Sequence, residues 1–225
     1  MTIHPFVLSI IALAAPAPVE TVDPVAQAVE RAERLVREKR AGSALAEIER
    51  VLPGIDASIE TARARGLVFC AADRDEMATY AAMGSDSRQT STVFTDPVCE
   101  AMYLHGYILA ELDRLPEATA VLEKLSAMAP RNGRYLAELG YTYRSRDLVK
   151  ARAVYVRAIE AGKLTVDKAR GAHDQAHGLR GLGWVLIEQG DWEGAERAYR
   201  DSLKLEPDNA IATSELKYIA ENRPK

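Results

Sequence analysis

The chain is predicted to be all-α, built as a solenoid of stacked antiparallel helix pairs, and three observations carry that prediction. Gly106, Ala118 and Pro130 stand in the same relation to one another as Gly183, Ala195 and Pro207, and Gly140 heads an intermediate copy. The outer copies occupy 99–132 and 176–209, each spanning the 34 residues of a known helical-hairpin period, with copy two at 133–165 between them. Within each copy the apolar residues recur at helical spacing, and the resulting stripe is buried only when neighbouring hairpins stack. The glycine and the first alanine of each copy leave room for two helices to cross closely.

Taken from the start, residues 1–14 hold an apolar run from Phe6, followed by Pro16 and Pro18, and Ala12-Leu13-Ala14 fits the small-x-small rule for signal peptidase. A signal peptide cleaved near Ala14 is expected, and with it a periplasmic or secreted protein without membrane insertion after removal. The run is too short to cross a bilayer as a mature helix. No cysteine stands at the cleavage point to take a lipid, and only the terminal amine and His4 stand where Lys or Arg is usual. An uncleaved anchor and a cytoplasmic start are the alternatives.

Residues 23–83 read as a helical block. Pro24 to Arg40 is amphipathic, Ala41-Gly42-Ser43 reads as a turn, and Ala44 to Leu52 is closed by Pro53, so that the pair makes a degenerate hairpin. A second helix is expected over Ala57–Ala72 and a short one over Asp75–Met83. Residues 84–96 (GSDSRQTSTVFTD) read as a polar loop without periodicity, and Asp96-Pro97 as a helix start with the proline at the first helical position. The three copies then fill 97–209. The residues 166–175, beyond the period, are read as extra turns of the next first helix, capped by Asp167, although Gly171 and Gly178 weaken a continuous helix there. Residues 210–225, with Ile211, Leu216, Tyr218 and Ile219 apolar among charges, suit a capping helix.

Copy three supplies Leu179, Leu182-Gly183, Leu186, Gly190, Ala195, Tyr199 and Pro207; copy two supplies Leu136, Leu139-Gly140, Tyr143, Ala151, Tyr155 and Ala158; copy one supplies Met102, Gly106, Leu109, Ala118, Leu122 and Pro130. On these residues the chain resembles the tetratricopeptide repeat (TPR) family. The resemblance implies a right-handed superhelix whose first helices line a concave groove, with the second, fifth, ninth, twelfth and thirteenth positions of each facing inward. Carried onto this sequence, those positions include Glu100, Tyr103, Tyr107 and Glu111 in copy one, Arg134, Tyr141, Arg144 and Ser145 in copy two, and His177, Arg180, Trp184, Ile187 and Glu188 in copy three. Each ninth position is aromatic: Tyr107, Tyr141 and Trp184. Rigid rings and guanidinium groups are what binding surfaces concentrate.

A partner groove of Tyr103, Tyr107, Arg134, Tyr141, Arg144, His177, Arg180, Trp184 and Glu188 is therefore expected, its occupant a protein or peptide. Copy two and the insertion are locally basic, so that acidic residues or a free carboxyl terminus would be attracted. The alternative is a structural subunit of an envelope complex or homo-oligomer, whose rings pack internally and leave no open groove. The chaperone-tail carboxylate clamp known in some TPR proteins is not expected, because Tyr103 and Tyr107 occupy positions where it needs Lys and Asn.

Other chemistry finds little support. A formal net charge of -4 gives no basis for nonspecific nucleic-acid binding. His173 and His177 stand one helical turn apart, but a third ligand is not evident, and no metal or cofactor is expected. No nucleophile elbow, phosphate loop or metalloprotease helix occurs, so an enzyme is not expected. The two cysteines, Cys70 and Cys99, either bond in an oxidising compartment or remain small buried apolar groups. A bond closing a loop of about thirty residues would contribute on the order of 3 kcal/mol.

Overall fold

The computed structural model describes residues 23–86 and 89–224, and among them are eleven helices and two strands. The expected signal peptide at 1–14 lies outside the described residues. Helices α1 (Pro24–Arg37) and α2 (Ala41–Glu49) form the leading hairpin. The segments α3 (Leu52–Arg63), β1 (Leu67–Cys70), α4 (Arg74–Asp86) and β2 (Ser91–Phe94) follow. Three hairpins come next: α5 (Val98–Glu111) with α6 (Leu115–Met128), α7 (Gly133–Tyr143) with α8 (Leu148–Leu164), and α9 (Lys168–Glu188) with α10 (Trp192–Leu205). Helix α11 (Ala210–Asn222) packs on α10 and closes the stack.

The architecture is a TPR-like α-solenoid. Its period reflects a repeated close contact between the two helices of each hairpin. A Cβ on Gly106 would stand 2.6 Å from Leu122, one on Gly140 2.8 Å from the Tyr155 ring, and one on Gly183 2.7 Å from the Tyr199 ring. In each copy, then, a glycine on the first helix receives the large side chain of the second, and any other residue would hold the helices apart. Side-chain caps set the helix starts: Asn132 accepts from the Tyr135 N–H, Asp147 from Lys150, Asp191 from Gly194 and Asn209 from Ala212.

The leading hairpin joins this stack although nearly fifty residues separate it from α5. Both α1 and α2 pack on α5, as each later hairpin packs on the next, and Ala32, Ala44, Leu45 and Ile48 enter the same core as Leu109, Leu136 and Tyr155. Residues 50–97 are thus looped out of the solenoid between its first two hairpins.

Several expectations fail within this stretch. Helix α3 ends at Arg63 instead of reaching Ala72, and 67–70 is a strand; the segment 84–96 is not a loop throughout, since α4 runs to Asp86 and 91–94 is β2. The strands pair in parallel with Leu67 opposite Ser91 and Cys70 opposite Phe94. Gly66 makes the entry, at φ +157°, where a Cβ would lie 2.0 Å from the Thr90 carbonyl oxygen. Short runs such as Leu67-Val68-Phe69-Cys70 have the same apolar content as a buried helix turn, and only the partner strand decides between the two.

A two-stranded sheet is marginal by itself, and three contacts hold this one. Phe69 stacks on the fully buried Tyr80, their centroids 5.0 Å apart. The Tyr80 hydroxyl accepts from the backbone N–H of Arg131 at 3.2 Å. Cys70 and Cys99 are joined, fixing the end of β1 to the first turn of α5.

Three smaller differences have local causes. The first turn falls at 38–40, where Lys39 has φ 58°, so that Ala41-Gly42-Ser43 begins α2 instead of preceding it. Pro53 lies in the first turn of α3, where its missing N–H costs nothing. Pro97 is the cap residue of α5, one position ahead of the expected place. In the insertion, Asp167 does cap α9 through Ala169 and Arg170, and α9 runs unbroken past Gly171 and Gly178. Those glycines are needed by the crossing: a Cβ on Gly171 would meet the Gly162 carbonyl oxygen at 2.6 Å, and one on Gly178 the Ile159 side chain at 2.9 Å.

Candidate functional site

The first helices α5, α7 and α9 lie side by side, α7 in contact with both of the others, and the second helices pack behind them. This arrangement brings Tyr103, Tyr107 and Arg134 together in one cluster and Tyr141, Arg144 and Trp184 in another. Arg144, at the end of α7, is its centre. The guanidinium carbon lies 4.8 Å from the Trp184 ring, 5.3 Å from Tyr141 and 5.6 Å from Tyr155, within cation–π range of all three. Its Nε donates to the Tyr155 hydroxyl at 2.9 Å. No carboxylate among the described residues forms an ion pair with it.

The other two arginines are differently placed. Arg134 forms a forked pair with Glu100, at 3.0 and 2.8 Å, and its guanidinium carbon lies 3.6 Å over the Tyr103 ring. Arg180 donates to Glu206 at 2.5 Å, and only 11% of its side chain is exposed. Glu206 also takes His173 at 2.6 Å, which removes His173 from any shared site with His177. His177 is half-buried, and burial together with the neighbouring Arg180, His173 and Arg144 lowers its pKa to about 4, leaving a neutral ring at neutral pH.

The rings divide in the same way. Tyr103 is buried against Tyr107 and Tyr135, with centroids 5.9 and 5.4 Å away, so it belongs to the floor and not to the open surface expected for it. Tyr107 and Trp184 are half-buried and rest on the core, and Tyr141 is 44% exposed. The leading helices α1 and α2 pack on α5, the helix that carries Tyr103 and Tyr107. Glu188 is exposed at the end of α9.

Two participants were missed by sequence reasoning. Tyr155 supplies the hydroxyl that holds Arg144, from the second helix of copy two. Glu138 lies between Arg134 and Tyr141 on α7, where burial, opposed by Arg134 and Arg144 and reinforced by Glu111, raises its pKa to about 7; it accepts a hydrogen bond from Tyr103. Its position, four after Arg134 and three before Tyr141, is a same-face spacing that marks it as a neighbour of both. The basic excess of copy two lies elsewhere. Lys150, Arg152, Arg157 and Lys163 are exposed on α8, whose buried side packs against α7 and α9. With Arg134 and Arg180 already paired, the ground for attracting an acidic partner is reduced to Arg144.

This geometry, stacked hairpins with an aromatic inner face, is that of a tetratricopeptide-repeat solenoid. Residues 176–209, the α9–α10 hairpin, match the tetratricopeptide repeat family model. No curated protein matches the chain. Among solved structures, the crystal structure of MamA protein is 14% identical, with a TM-score of 0.53 over 88% of this chain and 81% of that one. The MamA MSR-1 C2 structure is 17% identical, with a TM-score of 0.50 over 88% and 85%. The first TPR domain of the human RPAP3 protein is 19% identical, with a TM-score of 0.47 over 55% and 90%. At these identities the likeness to the two MamA structures is one of fold.

Proposed function

We propose that the protein is a non-catalytic docking module that takes a segment of another protein along the inner face of α5, α7 and α9, and that it works outside the cytoplasm. The observation that carries the first part is Arg144. A guanidinium framed by Tyr141, Tyr155 and Trp184 has its stem and one donor fixed and its outer donors without a carboxylate, beside a tyrosine that is 44% exposed. Ordered side chains of this kind lose little entropy when a partner arrives, which is how hot spots are built. The second part is supported by the Cys70–Cys99 bond, since such bonds persist in oxidising compartments. Among the described residues no helix is long and apolar enough to cross a membrane.

The test is capture and identification of the partner by the mature chain, repeated with Arg144→Glu and Trp184→Ala. Both variants are expected to lose the partner while retaining helical content.

A structural subunit remains the second reading, and one feature favours it. Val149, Val156 and Leu164 are exposed on α8, and Val156 lines a hollow together with Arg152, Leu179, Leu182, Leu186 and Arg197. If that side makes the complex, changes at Arg152 or Arg197 will break it and the inner-face variants will not.

A further inference from the structure

Helix α9 packs closely against both α8 and α10, and where the three meet there is an open hollow of about 290 Å³. Leu179, Leu182 and Leu186 form its floor, one stripe of α9 at the i, i+3, i+7 spacing that covers two turns, about 10 Å. Val156 on α8, 43% exposed, adds an apolar wall. The rim carries Arg152 from α8 and Arg197 from α10, both exposed. Charge at this place is unevenly answered. Asp191 and Asp201 also line the hollow, but Asp191 accepts the Gly194 N–H at 2.8 Å and caps α10, and Asp201 is paired with Lys204 at 2.7 Å. Neither Arg152 nor Arg197 forms an ion pair or a hydrogen bond among the described residues.

We propose that this hollow takes a short amphipathic helix of a partner protein, its apolar side chains on Leu179, Leu182 and Leu186 and its acidic side chains on Arg152 and Arg197. It is a second surface, resting on none of the inner-face residues, and it names the chemistry that the structural-subunit reading leaves open. The occupant is a helix because the hollow is built from helices, whose backbone groups bond internally and offer nothing to an extended chain. An extended segment would lay its own N–H and C=O groups against leucine side chains without partners. A helix satisfies those groups itself and presents apolar residues at the matching spacing. The acids follow from the two unanswered guanidinium groups, each able to hold a carboxylate through two donors. Anionic lipid is the poorer match, since its uniform charge would meet Asp191 and Asp201 as well as the arginines. A helix can set its carboxylates on Arg152 and Arg197 alone.

The experiment uses the whole chain and two end-blocked fluorescent helical peptides with leucines at i, i+3 and i+7, one flanked by glutamates and the other by lysines, with phosphatidylglycerol vesicles as a third probe. At low salt the glutamate peptide is expected to bind about tenfold more tightly than the lysine peptide, an advantage that moderate salt reduces. Arg152→Glu with Arg197→Glu should reverse the order, and because both positions are exposed the fold is kept. Val156→Ser should weaken both peptides about threefold. If the two peptides bind equally and Val156→Ser still weakens them, the acidic partner is overturned while the outer side stands as a contact surface. If Arg144→Glu abolishes binding and the paired arginine change does not, the peptide sits on the inner face, and the inference is overturned while the docking reading stands. Binding of the vesicles but of neither peptide, or of none of the three, also overturns it.

Discussion

Glu138→Gln is expected to stabilise the protein at pH 8 and to do almost nothing at pH 4.5. The carboxyl group titrates at 4.5 in an open chain and at about 7 in the folded one, where burial and Glu111 outweigh Arg134 and Arg144. Between those values the folded chain keeps a proton that the unfolded chain has released. Stability therefore falls as pH rises through the window from 4.5 to about 7, and above it the full cost of the buried charge is present. The interval corresponds to at most about 3 kcal/mol. Because Glu138 keeps partial contact with water, about half of that, 1–2 kcal/mol, is the working expectation. Glutamine retains the oxygen that accepts from Tyr103 and removes only the ionisation. For a chain of this length the gain amounts to about 2–8 °C in Tm at pH 8. Urea unfolding of the two proteins across pH 4.5–8 measures the difference directly. A gain of equal size at both ends of the range would refute the reasoning, since it would have to arise from packing and not from charge.

The remaining expectations address the fold's fastenings. Replacing Cys70 and Cys99 by alanine should lower the unfolding free energy by about 3 kcal/mol, by releasing a closed loop with a sequence separation of 29 residues, and hydrogen exchange should show the loss concentrated in β1, α4 and β2. Gly181→Ala would place a methyl group 2.1 Å from the Tyr155 ring, and the forced movement of α9 from α8 should cost about 1–3 kcal/mol in urea unfolding. Tyr155→Phe keeps the ring and removes the hydroxyl that holds Arg144; partner capture should weaken with a stability change of about 1 kcal/mol, and unaltered capture would mean that Arg144 needs no such support.

Local chemistry made the solenoid legible in the sequence. Glycine opposite a large side chain and alanine at the crossing recur because each of the three hairpins solves the same packing problem with the same few residues, as Gly106, Gly140 and Gly183 show against Leu122, Tyr155 and Tyr199, while the closing proline is present in copies one and three only. The aromatic ninth positions were legible for the same reason. Even the Glu100–Arg134 pair joins the second positions of two adjacent copies, though its closure had to be seen before Arg134 could be subtracted from the groove.

What tertiary structure alone decided was everything that depends on residues far apart meeting. The strands at 67–70 and 91–94 have no periodic signal, and each exists because the other is beside it. The cysteines bond because β1 ends on α5, a contact that no spacing rule could select over two buried thiols. Arg180 meets Glu206 across a hairpin, and Arg170 in the lengthened α9 reaches back to Asp73, just ahead of α4, and to Glu76 on α4. Sequence periodicity reports which face of a helix a side chain occupies. Whether its charge is free or already answered is set by the Coulomb and hydrogen-bond partners that stacking brings within a few ångströms, and that is why the repeat was readable from the residues and the pairing of Arg134 and Arg180 was not.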